Sequence, residues 1–179
     1  MNPSCNLFLI GPTGAGKTSI GRRLAAHYGI PFIDLDQEIE RDTGVSVTTV
    51  FEIEGEAGFR QRESASLDEC SRRRGVLLAT GAGAVLDPIN RQRLVERGYV
   101  VWLQTTIEQQ LERLAHDTHR PLLAGEDRHA RLAAMAQIRM PLYLEIADLA
   151  IPGEHQGVAD ASERCITLID QNWQRQQAA

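Results

Sequence analysis

Residues Leu7-Phe8-Leu9-Ile10-Gly11-Pro12-Thr13-Gly14-Ala15-Gly16-Lys17-Thr18-Ser19 decide the architecture. The first four are a short apolar run ended by glycine, which reads as a buried strand, and a helical pattern opens at Ser19. Between them, Gly11 to Thr18 fit G-x-x-x-x-G-K-[ST]. Glycines let the backbone pass close to phosphates with its N–H groups turned inward. Lys17 then brings a positive charge to the β/γ-phosphates, and the Thr18 hydroxyl is a ligand for Mg²⁺. Strand, loop and helix stand in the order this chemistry requires, so the chain is expected to bind a nucleotide through Gly14, Ala15, Gly16, Lys17, Thr18 and Ser19.

Outward from this loop, short apolar runs alternate with longer amphipathic ones. Strands are predicted at 5–10, 30–34, 76–79, 99–103 and 148–151. Helices are predicted at 17–28, 36–43, 46–53, 56–74, 88–97, 106–116, 128–146 and 158–174. Such alternation implies an α/β three-layer sandwich, a parallel sheet with helices on both faces. Pro31 opens the second strand, where a missing donor is tolerated, and Gly29 and Gly98 stand where helices should end. At 179 residues the chain has room for one complete core and is short for two. A single domain over 1–179 is expected.

The net charge of −5 argues against a nucleic-acid-binding face, which would gather a basic patch. Lys17 is the only lysine, so carboxylate and phosphate recognition elsewhere must fall to arginine, whose planar fork suits both. Cys5, Cys70 and Cys165 are odd in number and lack C-x-x-C spacing, which suggests small buried hydrophobes in place of disulfides or zinc. Met1 to Ser4 lack a basic n-region and no long apolar run follows, so a cytoplasmic protein is expected. The five histidines, at 27, 116, 119, 129 and 155, have no spacing that would make a metal face. Trp102, in an apolar strand, is expected in the core; the tail from Gln174 is expected to fray.

Ligands of a parallel sheet bind at the carboxyl ends of its strands. Asp34 and Asp36 end the second strand, and alternation on extended chain would send both carboxylates to one side. Together they suit a Mg²⁺ shell and a hydroxyl-bearing substrate. Alternatively, Asp36 N-caps the next helix. Arg60 and Glu63, three apart, share a helix face; taken alone they read as a surface salt bridge. Val76 to Ala79 empty into the small-residue turn Thr80-Gly81-Ala82-Gly83-Ala84, which allows close approach to main-chain N–H groups. No acidic residue follows this third strand, so Asp34, through water, is the simplest completion of a metal shell. The charged stretch from Asp117 to Arg128 carries Pro121 and Gly125 and reads as a long loop suited to a water-excluding lid.

Six motifs in order, GPTGAGKT at 11–18, DLD at 34–36, FRQRE at 59–63, TGAGAV at 80–85, RPLL at 120–123 and RMPLY at 139–143, make the chain resemble the shikimate kinase family over nearly its whole length. The resemblance implies a five-stranded parallel sheet of the nucleoside-monophosphate-kinase type with a mobile lid about 117–128 and a substrate-binding segment about 34–63. It implies phosphate transfer from ATP, with Mg²⁺, to the 3-hydroxyl of shikimate in chorismate and aromatic amino acid biosynthesis, by a cytoplasmic monomer. Carried over by position, Lys17 and Thr18 would hold phosphates and metal, with Asp34 on the metal through water. Asp36 would bind substrate hydroxyls and act as base. Arg60 and Arg139 would clamp the carboxylate with the backbone of Gly81, Ala82 and Gly83. Arg120 would reach from the lid to the phosphates, and Arg113 would pack near adenine.

Two departures stand out. The family usually has three glycines where this chain has Gly81-Ala82-Gly83, and the middle N–H is the one the resemblance brings to the carboxylate. A left-handed backbone there would cost alanine roughly 1–2 kcal/mol, so weakened shikimate binding is expected. The adenine-side loop Pro152 to Gly157 lacks an arginine that some members carry, leaving Gln156 as the candidate for the purine edge. Two alternatives stay open: a related kinase of another small hydroxy acid such as gluconate, and a non-catalytic nucleotide-binding regulator.

Overall fold

The computed structural model describes residues 4–115, 127–154 and 157–175. Five strands, β1 (Leu7–Ile10), β2 (Phe32–Asp34), β3 (Leu77–Ala79), β4 (Tyr99–Leu103) and β5 (Leu149–Ile151), form one sheet in the order β2-β3-β1-β4-β5. Every pairing is parallel. β1 sits at the centre, with Phe8 opposite Leu78 on one side and Val100 on the other. All four residues of β1 and all five of β4 are buried, as continuous apolar runs covered on both faces must be.

Strand alternation divides the core in two. Leu7 and Leu9 face a cluster built from α1 (Lys17–Tyr28) and α7 (Val158–Asn172), including Leu24, Cys165 and Ile169. Phe8 and Ile10 face the opposite cluster, which takes Leu35 and Ile39 of α2 (Leu35–Thr43) and Phe59 and Leu67 of α3 (Val47–Arg72). Leu94 of α4 (Pro88–Arg97) and Tyr143 of α6 (Arg128–Ile146) complete it. A three-residue 3₁₀ turn, Ala84–Leu86, joins β3 to α4, and α5 (Ile107–Arg113) follows β4.

Two predicted helices, 46–53 and 56–74, appear as one element broken where expected: Gly55 has φ 70 and ψ −178, outside helical geometry, in the middle of α3. α1 ends at Gly29 in a left-handed cap. Gly98 also follows its helix, but it is extended and lies where a side chain would strike the Phe8 ring. Trp173 is a fixed part of the structure. It is buried among Tyr28 and Tyr99 and donates its indole N–H to the Ser4 carbonyl at 3.0 Å, so fraying cannot begin before it. Cys70 and Cys165 are buried and Cys5 partly so, all as free thiols. No helix among the described residues is long and apolar enough to cross a membrane.

Candidate active site

A cleft of about 450 Å³ opens over the carboxyl ends of the central strands. Its floor is the loop Thr13 to Thr18 and the first turn of α1, so the predicted nucleotide residues Gly14, Ala15, Gly16, Lys17, Thr18 and Ser19 all line it. Gly14 and Gly16 hold φ of 79 and 86, which a side chain would resist. α1 starts at Lys17 with no side-chain cap and no acidic residue in its first turn. Its N-terminal amides are thereby left for an anion, as the helix dipole favours. Lys17 Nζ reaches back to the carbonyls of Gly11 at 2.7 Å and Pro12 at 2.9 Å, which pins the ammonium over the loop.

Arg113 also lines the cleft, donating to the carbonyls of Gly14 at 2.9 Å and Glu154 at 3.4 Å. The sequence reading overlooked a neighbour. Arg164 of α7 borders the same cleft, bonds the Pro152 carbonyl at 3.2 Å and pairs with the Glu154 carboxylate. Gln156, Arg120, His116, His119, His155 and the lid from 117 to 126 lie outside the described residues.

Asp34 and Asp36 both line the cleft, but not by strand alternation. α2 begins at Leu35, so Asp34 is the N-cap and Asp36 stands in the first helical turn. Asp34 Oδ1 accepts from the N–H groups of Asp36 at 3.1 Å and Gln37 at 3.4 Å, while Oδ2 accepts from the Thr18 hydroxyl at 2.6 Å. The capping role considered for Asp36 thus belongs to Asp34. The helix starts two residues earlier than an Asp36 cap requires, and the Asp36 carboxylate is directed to Gly81, whose Cβ position would be 3.4 Å from Oδ1. Thr18 and Asp34 present hard oxygen donors side by side at the phosphate loop, a set that suits Mg²⁺. Among the described residues no group of three or more His, Cys, Asp or Glu is placed to hold a metal, so phosphate oxygens and water would fill most of its shell.

The acceptor end is a buried charge cluster. Arg60 Nη1 meets Glu63 Oε2 at 2.6 Å, and Arg60 Nη2 meets Glu56 at 3.2 Å. This is no surface pair: Glu63 is 1% exposed. Burial raises its pKa, against the nearby Arg60, which lowers it. Arg139 is 8% exposed, and its pKa is lowered first by burial, with Tyr143 and Glu63 opposing that and Arg60 adding to it. One partly buried guanidinium, Arg60, thus pairs with the buried Glu63 carboxylate, and the buried Arg139 lies close enough to feel both charges. Among the described residues, Arg60 Nε and Glu63 Oε1 have no hydrogen-bond partner.

The turn after β3 closes on this cluster. A side chain at Gly81 would run into the Glu63 carboxylate, and one at Gly83 into the Arg60 guanidinium. Gly81 and Ala82 line the nucleotide cleft, whereas Arg139 borders a neighbouring cavity of about 360 Å³ together with Pro12, Thr13 and Tyr143. Among the described residues no residue other than glycine has positive φ, so Ala82 sits in ordinary backbone space. The strain expected at this position does not exist. Glu63 was the larger omission, although a signal for it was present: Phe59, Glu63, Ser66, Leu67 and Cys70 recur at helical spacing and are all buried.

An uncapped helix behind a glycine loop, a pinned lysine and a strand-end aspartate on the loop threonine define a P-loop phosphotransferase, and the two arginines at the other end suit an anionic acceptor. The chain belongs to the shikimate kinase family, whose model matches residues 13–170. A shikimate kinase of Stenotrophomonas maltophilia is 48% identical over 176 residues, 98% of each chain. One from Thioalkalivibrio sulfidiphilus is 51% identical over 158 residues, covering 88% of this chain and 83% of its own. The solved structure of Acinetobacter baumannii shikimate kinase in complex with shikimate superposes with a TM-score of 0.90 at 44% identity, over 93% of both chains.

Proposed function

We propose that this chain transfers the γ-phosphoryl group of ATP to the 3-hydroxyl of shikimate, giving shikimate 3-phosphate and ADP. The observation that carries this reading is the cluster at the acceptor end. Arg60 and Arg139 stand with the buried Glu63 beside the small-residue turn after β3, and Glu56, the second carboxylate on Arg60, is half exposed, so a substrate carboxylate finds two guanidinium groups there. Asp36, facing the same turn from the nucleotide side, is placed for substrate hydroxyls.

Lys17 and the α1 amides hold the β/γ-phosphates, and Arg113 holds the base side of the cleft. Thr18 and Asp34 would hold Mg²⁺, the latter through water; when bound, the ion neutralises charge on the phosphate oxygens. The acceptor oxygen bonds to the γ-phosphorus as the bond to the β–γ bridging oxygen breaks, and its proton passes to Asp36 Oδ. Little covalent chemistry falls to the protein. Positioning and charge neutralisation do most of the catalysis, and Arg120 would add charge at the phosphates from the lid.

The test is coupled detection of ADP release with shikimate, with gluconate and quinate as controls. Turnover should require shikimate. Turnover with gluconate alone would transfer the assignment to another hydroxy acid, and nucleotide binding with no turnover on any acceptor would leave a regulator.

A further inference from the structure

We propose that Tyr143 is a positioning residue of the acceptor site: its hydroxyl holds the Ala82 carbonyl so that the Gly83 N–H points at the substrate carboxylate. This rests on the acceptor reading above. The Tyr143 hydroxyl donates to the Ala82 carbonyl at 2.6 Å, across 61 residues of chain, and the side chain is 1% exposed. In a planar trans peptide the C=O of Ala82 and the N–H of Gly83 point in opposite directions. Fixing one therefore aims the other. The Gly83 side of that peptide is where the Arg60 guanidinium lies, since a side chain at Gly83 would collide with it.

The turn cannot set this direction by itself. Its other carbonyls are held locally or by α4: Gly81 by the Ala84 N–H at 3.3 Å, Gly83 by the Leu86 N–H at 3.0 Å, Ala84 by Asn90 at 3.1 Å and Val85 by Arg91 at 2.8 Å. Only the Ala82 carbonyl, among these, is held from α6. That helix carries Arg139 one turn before Tyr143, so a single hydroxyl ties the turn's donor to the second guanidinium. Gly83, on one side of the peptide, resists its rotation weakly, which makes the external anchor consequential. Burial also raises the Tyr143 pKa, keeping the hydroxyl a donor at working pH.

Tyr143→Phe in the full chain tests the assignment. The KM for shikimate should rise about 10-fold, because a buried carbonyl loses its partner and the donor loses its aim. kcat should change by less than about 3-fold, with the KM for ATP unmoved. In ¹H–¹⁵N spectra the Gly83 amide should shift when shikimate is added to wild type, and shift little in Tyr143→Phe. An unchanged shikimate KM, or equal rises in both KM values, would overturn the proposal while wild-type turnover of shikimate leaves the acceptor assignment standing. Should the variant not fold, the wild-type spectrum decides: a silent Gly83 amide at saturating shikimate overturns it. Absence of both turnover and any spectral response in wild type would remove the acceptor reading itself, and Tyr143's role with it.

Discussion

At the nucleotide end, the loop and lysine come from eight consecutive residues, Gly11 to Thr18, rich in glycine and so in bare backbone. At the acceptor end, the groups come from α2, α3, the turn after β3 and α6, and two of the charged side chains, Glu63 and Arg139, are buried. The phosphate loop is complete in the strand–loop–helix unit itself, although Asp34, Arg113 and Arg164 border its cleft from elsewhere. The acceptor end exists only once four parts of the chain have packed. Substitutions at the two ends should therefore fail differently: loss of chemistry beside the phosphates, loss of affinity and of frame at the clamp.

The largest effect is expected where the two ends meet, at Asp36. Asp36→Asn keeps the shape and removes the proton acceptor, so kcat should fall by roughly 10²- to 10⁴-fold. Steady-state rates with saturating ATP and shikimate would measure it. A loss confined to KM would make Asp36 a binding group only and move proton transfer elsewhere.

Next come the two guanidinium groups. Arg60→Ala and Arg139→Ala should each cost about 30- to 1000-fold in kcat/KM for shikimate, the equivalent of ~2–4 kcal/mol for an under-compensated anion in a closed site. The double variant should lose less than the sum, since both act on one group. Lysine at either position should rescue partly, a point charge being no copy of the fork. A shikimate analogue with a neutral amide in place of the carboxylate gives the sharpest contrast: wild type should use it poorly and the variants should discriminate little. Variants that still prefer the acid as strongly as wild type would show that these arginines do not read the carboxylate.

How much was legible follows the same division. The phosphate loop, the sheet and the break at Gly55 rest on local rules, and the structure follows them within a few residues at each boundary. Asp34 and Asp36 were both picked out, but the N-cap considered for Asp36 fell to Asp34, because capping depends on where the helix starts, the least certain feature of a pattern. The burial of Glu63 was encoded in helical periodicity and masked by the habit of treating charged i,i+3 pairs as exposed. The bond from Tyr143 to Ala82 had no local signal at all, because it spans two elements that meet only through the core. Nor did Ala82's backbone angle, which the neighbouring glycines made look more demanding than it is.

The frame behind the clamp offers a pH test. Asp68, on the α3 that carries Arg60 and Glu63, accepts from Arg72 at 3.0 Å and from Arg97 of α4 at 2.8 Å, with Arg93 at 3.1 Å. Hydrogen bonds from Arg72 and Arg97 hold its pKa down to about 2, below the usual carboxylate range. A carboxyl whose pKa is depressed by folding stabilises the fold above its unfolded pKa and loses that contribution as pH falls through the folded one. The gap in melting temperature between wild type and Asp68→Asn should thus be full at neutral pH and shrink between about pH 4 and pH 2. A gap independent of pH would mean that the network acts through packing alone.

The smallest effect is expected at Ala82. With ordinary backbone angles there is no left-handed strain for glycine to relieve, and Ala82 presents the same N–H and carbonyl that glycine would. Ala82→Gly should leave the KM for shikimate within about twofold, because neither the donor aimed by the turn nor the carbonyl held by Tyr143 is altered. What changes is the unfolded chain. A third glycine in the turn widens the ensemble that folding must restrict, a cost of about 0.5–1 kcal/mol. In a chain of this size that lowers the melting temperature by roughly 1–4 °C. Thermal denaturation and initial rates on one preparation would separate the two. A several-fold fall in shikimate KM would show that the methyl group obstructs the acceptor, and would make the turn a steric filter as well as a donor.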